Sequence, residues 1–181
     1  MRKLQQWMRL AQVGMILAGL SCTSAHAESD TSAPTAPAAS GDLFHMIDSQ
    51  PISELWLNPG FLSYHWQRDL NLNGDNFGPG VEYRFSTVAS LTAGEFRNSD
   101  RVSSKYIGGY YQPFAIGDVR LGAAIGAFDG YPKMKNGNWF LAAIPVASYD
   151  YGRVGLNLSF VPSYQNRLYG AVSFQFKFKI F

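Results

Sequence analysis

The sequence predicts an all-β protein, an eight-stranded antiparallel transmembrane β-barrel with a short N-terminal amphipathic segment. Three observations point that way. The chain of 181 residues is 46% hydrophobic but only 15% charged, against about 25% charged residues in typical soluble domains. Aromatic residues make up 15% and there are 18 glycines, a mixture that suits pleated strands and tight turns more than helices. From Gly60 onward the apolar residues recur with period two, and no apolar run is long enough for a spanning helix.

The first 27 residues read as a secretory signal cleaved before Glu28. Arg2, Lys3 and Arg9 flank an apolar stretch from Leu10 to Leu20, and Ala25-His26-Ala27 ends it with small residues at the spacing a signal peptidase cuts. A membrane anchor is the alternative, disfavoured because the stretch falls well short of the roughly 20 residues a spanning helix needs. Cys22 invites a lipoprotein reading, but Gly19 stands where a large aliphatic residue would be expected. Removing the segment takes away three of the 15 basic residues and none of the 13 acidic ones, so the formal charge of +2 becomes −1. The mild basicity belongs to the targeting signal, which leaves nucleic-acid binding without support. The mature chain has no cysteine, so disulfides are excluded.

Residues 28–41 (ESDTSAPTAPAASG) form a flexible low-complexity linker that cannot bury enough apolar surface to order itself. Residues 42–57 (DLFHMIDSQPISELWL) form an amphipathic lead-in, either a helix at a membrane surface or a cap on the domain, interrupted by Pro51. The barrel is assigned to residues 58–181. Turn residues divide it into strands near 60–68, 79–86, 89–97, 105–112, 118–128, 138–148, 153–161 and 168–180. Short connections after the second, fourth and sixth strands alternate with longer, more polar ones, as in barrels that place turns and loops on opposite sides of a membrane.

The last strand shows the pattern best. Val172, Phe174, Phe176, Phe178 and Ile180 share one face, and Ser173, Gln175, Lys177 and Lys179 share the other. A soluble barrel of lipocalin type would turn the phenylalanines inward; a membrane barrel turns them outward. Trp66, Tyr110, Tyr111, Trp139, Tyr149 and Tyr169 fall near strand ends, where an interfacial girdle belongs. The terminal Phe181 is out of register with the phenylalanine face. These features predict a monomer in a bacterial outer membrane.

Few residues are suited to chemistry. The mature chain has only two histidines, His45 and His65, with no metal-binding cluster, phosphate-cradling loop or G-x-S-x-G elbow, so no metal and no cofactor are expected. His65 ends the first strand in Tyr64-His65-Trp66, and Asn98-Ser99 end the third, which places all three at the external end of the barrel. An imidazole beside a hydroxyl suits acyl transfer; the plainer alternative is a set of rim polar residues that contact sugars or phosphates. Ser63 and His65 share a strand face, a second arrangement suited to a hydrolase. Glu82 is a candidate lumen residue to orient a histidine. Arg68, Arg84 and Arg97 are candidates for lipid phosphates or for structural salt bridges.

With these residues in place, the chain resembles the lipid A palmitoyltransferase (PagP) family, eight-stranded outer-membrane barrels preceded by an amphipathic helix. The resemblance covers roughly residues 42–181 and rests on Ile144-Pro145-Val146-Ala147-Ser148, Tyr151-Gly152 and Phe160-Val161-Pro162, including two prolines 17 residues apart. It implies that Pro145 and Pro162 flank a gap in the wall through which phospholipid enters sideways. Tyr64-His65 and Phe96-Arg97-Asn98-Ser99 are similar to the family's histidine and F-x-Asp-Ser motifs, with Asn98 in place of the aspartate. An amide cannot supply negative charge to an imidazolium.

The resemblance implies that His65 is a base, Ser99 a hydroxyl or oxyanion partner and Asn98 an orienter. It also implies that phospholipid and lipopolysaccharide are the partners and that an acyl chain moves to lipid A or a related lipid. Tyr111 is the candidate floor of the lumen, where the family limits chain length. A non-enzymatic barrel for envelope integrity or surface binding, and a lipid A deacylase using Ser63 and His65, are the alternatives.

Overall fold

The computed structural model describes residues 43–181 except Asn166. The signal and linker assigned to 1–41 lie outside the described residues. Among the described residues nine strands run in chain order: β1 (Phe44–Met46), β2 (Pro51–His65), β3 (Asp75–Ser86), β4 (Ala89–Arg97), β5 (Ser103–Ile116), β6 (Val119–Phe128), β7 (Phe140–Tyr151), β8 (Val154–Val161) and β9 (Ala171–Lys179). Strands β2 to β9 are each paired antiparallel with their neighbours. Pairing of β2 with β9 closes them into an eight-stranded barrel, with no free edge apart from local breaks. Among the described residues helix is confined to two 3-10 turns, Arg68–Leu70 and Lys135–Gly137.

The alternation read from the sequence sets the two surfaces. In β9, Ser173, Gln175 and Lys177 are buried while Phe174, Phe176 and Phe178 are exposed. The same order puts Val81, Tyr83 and Phe85 of β3, Ile107 of β5, Ile125 of β6 and Leu141 of β7 outside. The outer wall is therefore almost continuously apolar. Trp66, Tyr111, Trp139 and Tyr149 lie on it as expected, but Tyr110 points into the lumen, because an inward register follows from Tyr106 and Gly108.

Three tight connections gather at one end. Gly117 and Gly152 have φ of +54° and +61°, the left-handed conformation that two-residue hairpins need. The four longer loops lie at the opposite end.

The lead-in segment forms strand rather than the expected helix. Its second half, from Pro51, is the start of β2, so the barrel begins before residue 58. Its first half is β1, which pairs Phe44 with Ile116 and Met46 with Phe114 along the part of β5 that β4 leaves uncovered. Thr87 then accepts the Gln50 N–H and donates to the Asp48 carbonyl, so residues 43–50 lace across the turn end. A strand wins over a helix here because β5 offers unpaired backbone groups, and each bond made to them replaces one to water.

The C-terminus resolves the register of Phe181. Leu55 accepts a bond from the Ile180 N–H and donates one to the Phe181 carbonyl, so two residues of the last strand oppose one of β2. This bulge turns Ile180 and Phe181 both outward, 45% and 61% exposed.

Candidate active site

The inward residues divide the lumen into two halves. At the turn end the barrel is plugged by charged and amide side chains. Arg84 bridges Glu54 at 2.9 Å and Asp150 at 3.1 Å, and Asp150 also holds Arg120 at 2.6 Å. Lys177, 1% exposed, sits 3.0 Å from Glu82 and over the ring of Trp56. Above them Ser148, Asn157, Gln112 and Gln175 bond to one another, and the Tyr110 hydroxyl donates to Gln175 at 3.2 Å. Glu82 thus faces the lumen as expected but serves the plug and Ser90 rather than a histidine. Arg84 is a salt-bridge member, Arg68 stacks on Tyr64, and Arg97 bonds the Arg101 carbonyl.

The half toward the loops is apolar. A cavity of about 100 Å³ is walled by Phe61, Phe96, Tyr106, Phe128, Phe140 and Ile144, with Tyr110 at its lower side. Its room comes from β5 and β6, where Gly108 pairs with Gly126 and Ala124 with Tyr110. Tyr111 is outside the barrel and 57% exposed, so the floor assigned to it belongs to Tyr110.

The bulge in β2 that shapes this region depends on Gly60. Its φ is +98°, and a Cβ there would lie 2.3 Å from the Asn76 carbonyl.

His65, at the last position of β2, is turned inward and 9% exposed. Its Nε2 lies 3.0 Å from Ser99 Oγ and 3.2 Å from the Asn73 carbonyl. Ser99 therefore meets the histidine across the first and second long loops, as strand direction implied. A smaller cleft lined by His65, Ser99 and Tyr169 shares Tyr131, Val161, Leu168 and Ser173 with the apolar cavity, so the His65–Ser99 pair stands at its mouth. Burial, with a contribution from the Asp100 carboxylate, holds the Tyr131 phenol well above the ordinary tyrosine range, so it stays protonated. Lys133 donates to the Tyr169 hydroxyl, which raises the lysine's affinity for its proton and ties the third loop to the fourth.

Asn98 does not reach His65. It is fully buried, donates to the Gly130 carbonyl at 2.8 Å, and accepts from the Asp100 and Val102 N–H groups at 3.0 Å each. Its role is to fold the turn that presents Ser99. Ser63 bonds Ser173 at 2.8 Å and makes no bond to His65.

Pro145 and Pro162 stand at a break in the wall. Pairing of β7 with β8 runs only from Tyr151 with Val154 to Val146 with Ser159, so Phe140–Pro145 of β7 has no ladder partner on β8. Pro145 sits where the ladder stops, and Pro162 follows the last residue of β8. A proline there offers no N–H to extend the pairing.

Asn73 and Asn76, which sequence reasoning missed, organise the first loop. The Asn73 amide donates to the carbonyls of Asp75, Arg97 and Asn98, and Asn76 donates to Arg97 at 2.8 Å. Asn73 lies in the polar loop and Asn76 at the start of β3, in a stretch where one asparagine looks like another. Among the described residues no group of His, Cys, Asp and Glu could hold a metal ion.

No protein-family model matches this chain, and no curated protein matches it in sequence.

Proposed function

We propose that this chain is a bacterial outer-membrane barrel that moves a fatty acyl chain from a phospholipid to a hydroxyl of lipid A or a related lipid. The observation that carries the reading is the His65–Ser99 pair, 3.0 Å apart, at the mouth of an apolar cavity that the ionic plug closes below. An apolar outer wall on a closed barrel, whose backbone groups are paired along most of each strand, is what lipid requires of a spanning sheet. The signal read in residues 1–27 agrees with export. The break beside Pro145 supplies a sideways route from the bilayer to the cavity. The resemblance to the lipid A palmitoyltransferase family supports the same reading, on motifs concentrated around Pro145 and Pro162.

The chemistry is an ester exchange. The carbons of the phospholipid acyl chain nearest the ester lie in the cavity, with the ester carbonyl at the rim. His65 takes the proton of the acceptor hydroxyl as its oxygen bonds the carbonyl carbon, and Ser99 donates a hydrogen bond to the oxygen that becomes negative. The glycerol oxygen then leaves with the proton from His65. Tyr110 and the amides behind it limit how deep a chain descends.

Mass spectrometry of lipid A from cells with and without the gene tests this: the expected result is one additional acyl chain when the protein is present. No acyl chain gained or lost would sink the enzymatic reading in favour of a structural barrel, and loss of a chain would favour a deacylase. His65→Ala is expected to abolish the shift while leaving a folded barrel whose gel mobility changes on heating.

A further inference from the structure

Every ion pair among the described residues lies in the plug at the turn end, where Glu54, Glu82 and Asp150 hold its cations. Arg68, in the 3-10 turn that follows β2, belongs to none of them. Its guanidinium carbon stands instead 4.0 Å from the centre of the Tyr64 ring. Tyr64 meets Trp66 edge-on with 6.1 Å between ring centres, and Trp66 lies 6.2 Å from Phe160. The three rings pack together yet stay 47% to 49% exposed, so they form a surface patch and not a core. Register explains the grouping: Tyr64 of β2 and Phe160 of β8 both pair with Val172, one on each side of β9. The Trp66 N–H bonds the Gly170 carbonyl at 3.1 Å, and Gln67 donates to Ser163 Oγ at 3.1 Å, which ties the Arg68 turn to the fourth loop. Tyr64 and Trp66 flank His65, whose side chain faces the opposite way into the cleft. Phe160 lies just beyond Ser159, where the ladder from β8 to β7 stops.

A guanidinium held over an aromatic face keeps N–H donors for an acceptor, and its planar fork fits a phosphate. Aromatic rings near the end of a spanning barrel mark the level of lipid headgroups. We infer that Arg68, with Tyr64, Trp66 and Phe160, binds a glycerophospholipid on the outside of the barrel. The guanidinium takes the phosphodiester, and the three rings take the upper part of the acyl chains. The inference rests on the acyl-transfer reading, for which it supplies the place where the donor waits beside the break. One guanidinium matches the single charge of a phosphodiester, and the rings lead to the β8 edge where the donor enters in that reading. The occupant is therefore the phospholipid and not lipid A.

Native mass spectrometry of the protein released from detergent, titrated with an ether-linked phosphatidylglycerol that cannot be deacylated, reads binding without turnover. The wild type is expected to retain one such lipid, and Arg68→Gln to bind it about tenfold more weakly. Lys105→Gln removes an equal charge from the exposed face of β5, across the barrel from β2, and should bind as the wild type does. A dialkylglycerol with the same chains should bind the wild type no better than the phospholipid binds Arg68→Gln. Equal weakening by both substitutions, equal binding of the dialkylglycerol, displacement by millimolar inorganic phosphate, or a preference for lipid A would each overturn the inference. Wild-type protein that retains the lipid through Arg68 yet transfers no chain from ester-linked phospholipid would fail the acyl-transfer reading and leave this site standing. Arg68→Gln that transfers chains with an unchanged KM for phospholipid would overturn the site and leave that reading intact.

Discussion

Asn98 uses both ends of its amide on backbone, and this decides what replacing it does. Asn98→Ala leaves the Asp100 and Val102 N–H groups and the Gly130 carbonyl without their partner, and a buried orphan costs about 1–3 kcal/mol. A loss of about 2–3 kcal/mol, with a loosened Ser99 turn and lower activity, is the expected outcome of denaturant unfolding in micelles. Asn98→Asp would place a carboxylate oxygen against the Gly130 carbonyl. Restoring the aspartate of the resembling family should therefore destabilise the turn rather than raise activity. The buried Lys177 behaves in the same way on a larger scale. Removing one partner of a buried ion pair costs about 3–5 kcal/mol because the other charge remains, so Lys177→Met should lower the unfolding midpoint strongly. Adding Glu82→Gln should recover part of the loss, a coupling that a double-mutant cycle measures.

Gly108 of β5 with Ala124 and Gly126 of β6 make room for the cavity, while β7 and β8 separate above Val146. Filling the room and closing the break should have separable effects. Ala124→Phe puts a ring into the cavity, so acyl transfer should fall or shift to shorter chains while the barrel remains folded, as read by chain-length profiling of the product. Replacing Pro145 and Pro162 by alanine restores two N–H donors at the break. The expected signature is slower hydrogen exchange around residues 143–145 together with slower transfer from bilayer phospholipid. Unchanged exchange and unchanged transfer would remove the prolines from any entry route.

Across the barrel, the outer wall is apolar between aromatic residues near both ends, and the charged side chains of the described residues are drawn into the lumen or to the rims. Trp66 and Trp139, each 47% exposed near the loop end, and Trp56, 1% exposed in the lumen, provide a test. In vesicles of brominated lipid, variants retaining only Trp66 or only Trp139 of these three should be quenched far more than one retaining Trp56. Equal quenching would argue against a membrane-facing wall. Much of this was legible in the chain itself. Period-two patterning determined eight barrel strands, the outward phenylalanines of β9 and the alternation of turns and loops, because each strand's side-chain direction is a local property. It also placed His65 and Ser99 at one end, since strand direction alone carries them there. Only the tertiary structure decided that residues 44–46 become a strand on β5, that a bulge at Ile180 turns Phe181 outward, and that Tyr110 rather than Tyr111 enters the lumen. The same holds for Asn98, which supports a turn, for Asn73, whose carbonyl meets the histidine, and for Asn76, which braces the first loop. These outcomes depend on which backbone groups lie unpaired across the barrel, and such pairings join residues far apart in a sequence whose local pattern gives no sign of them.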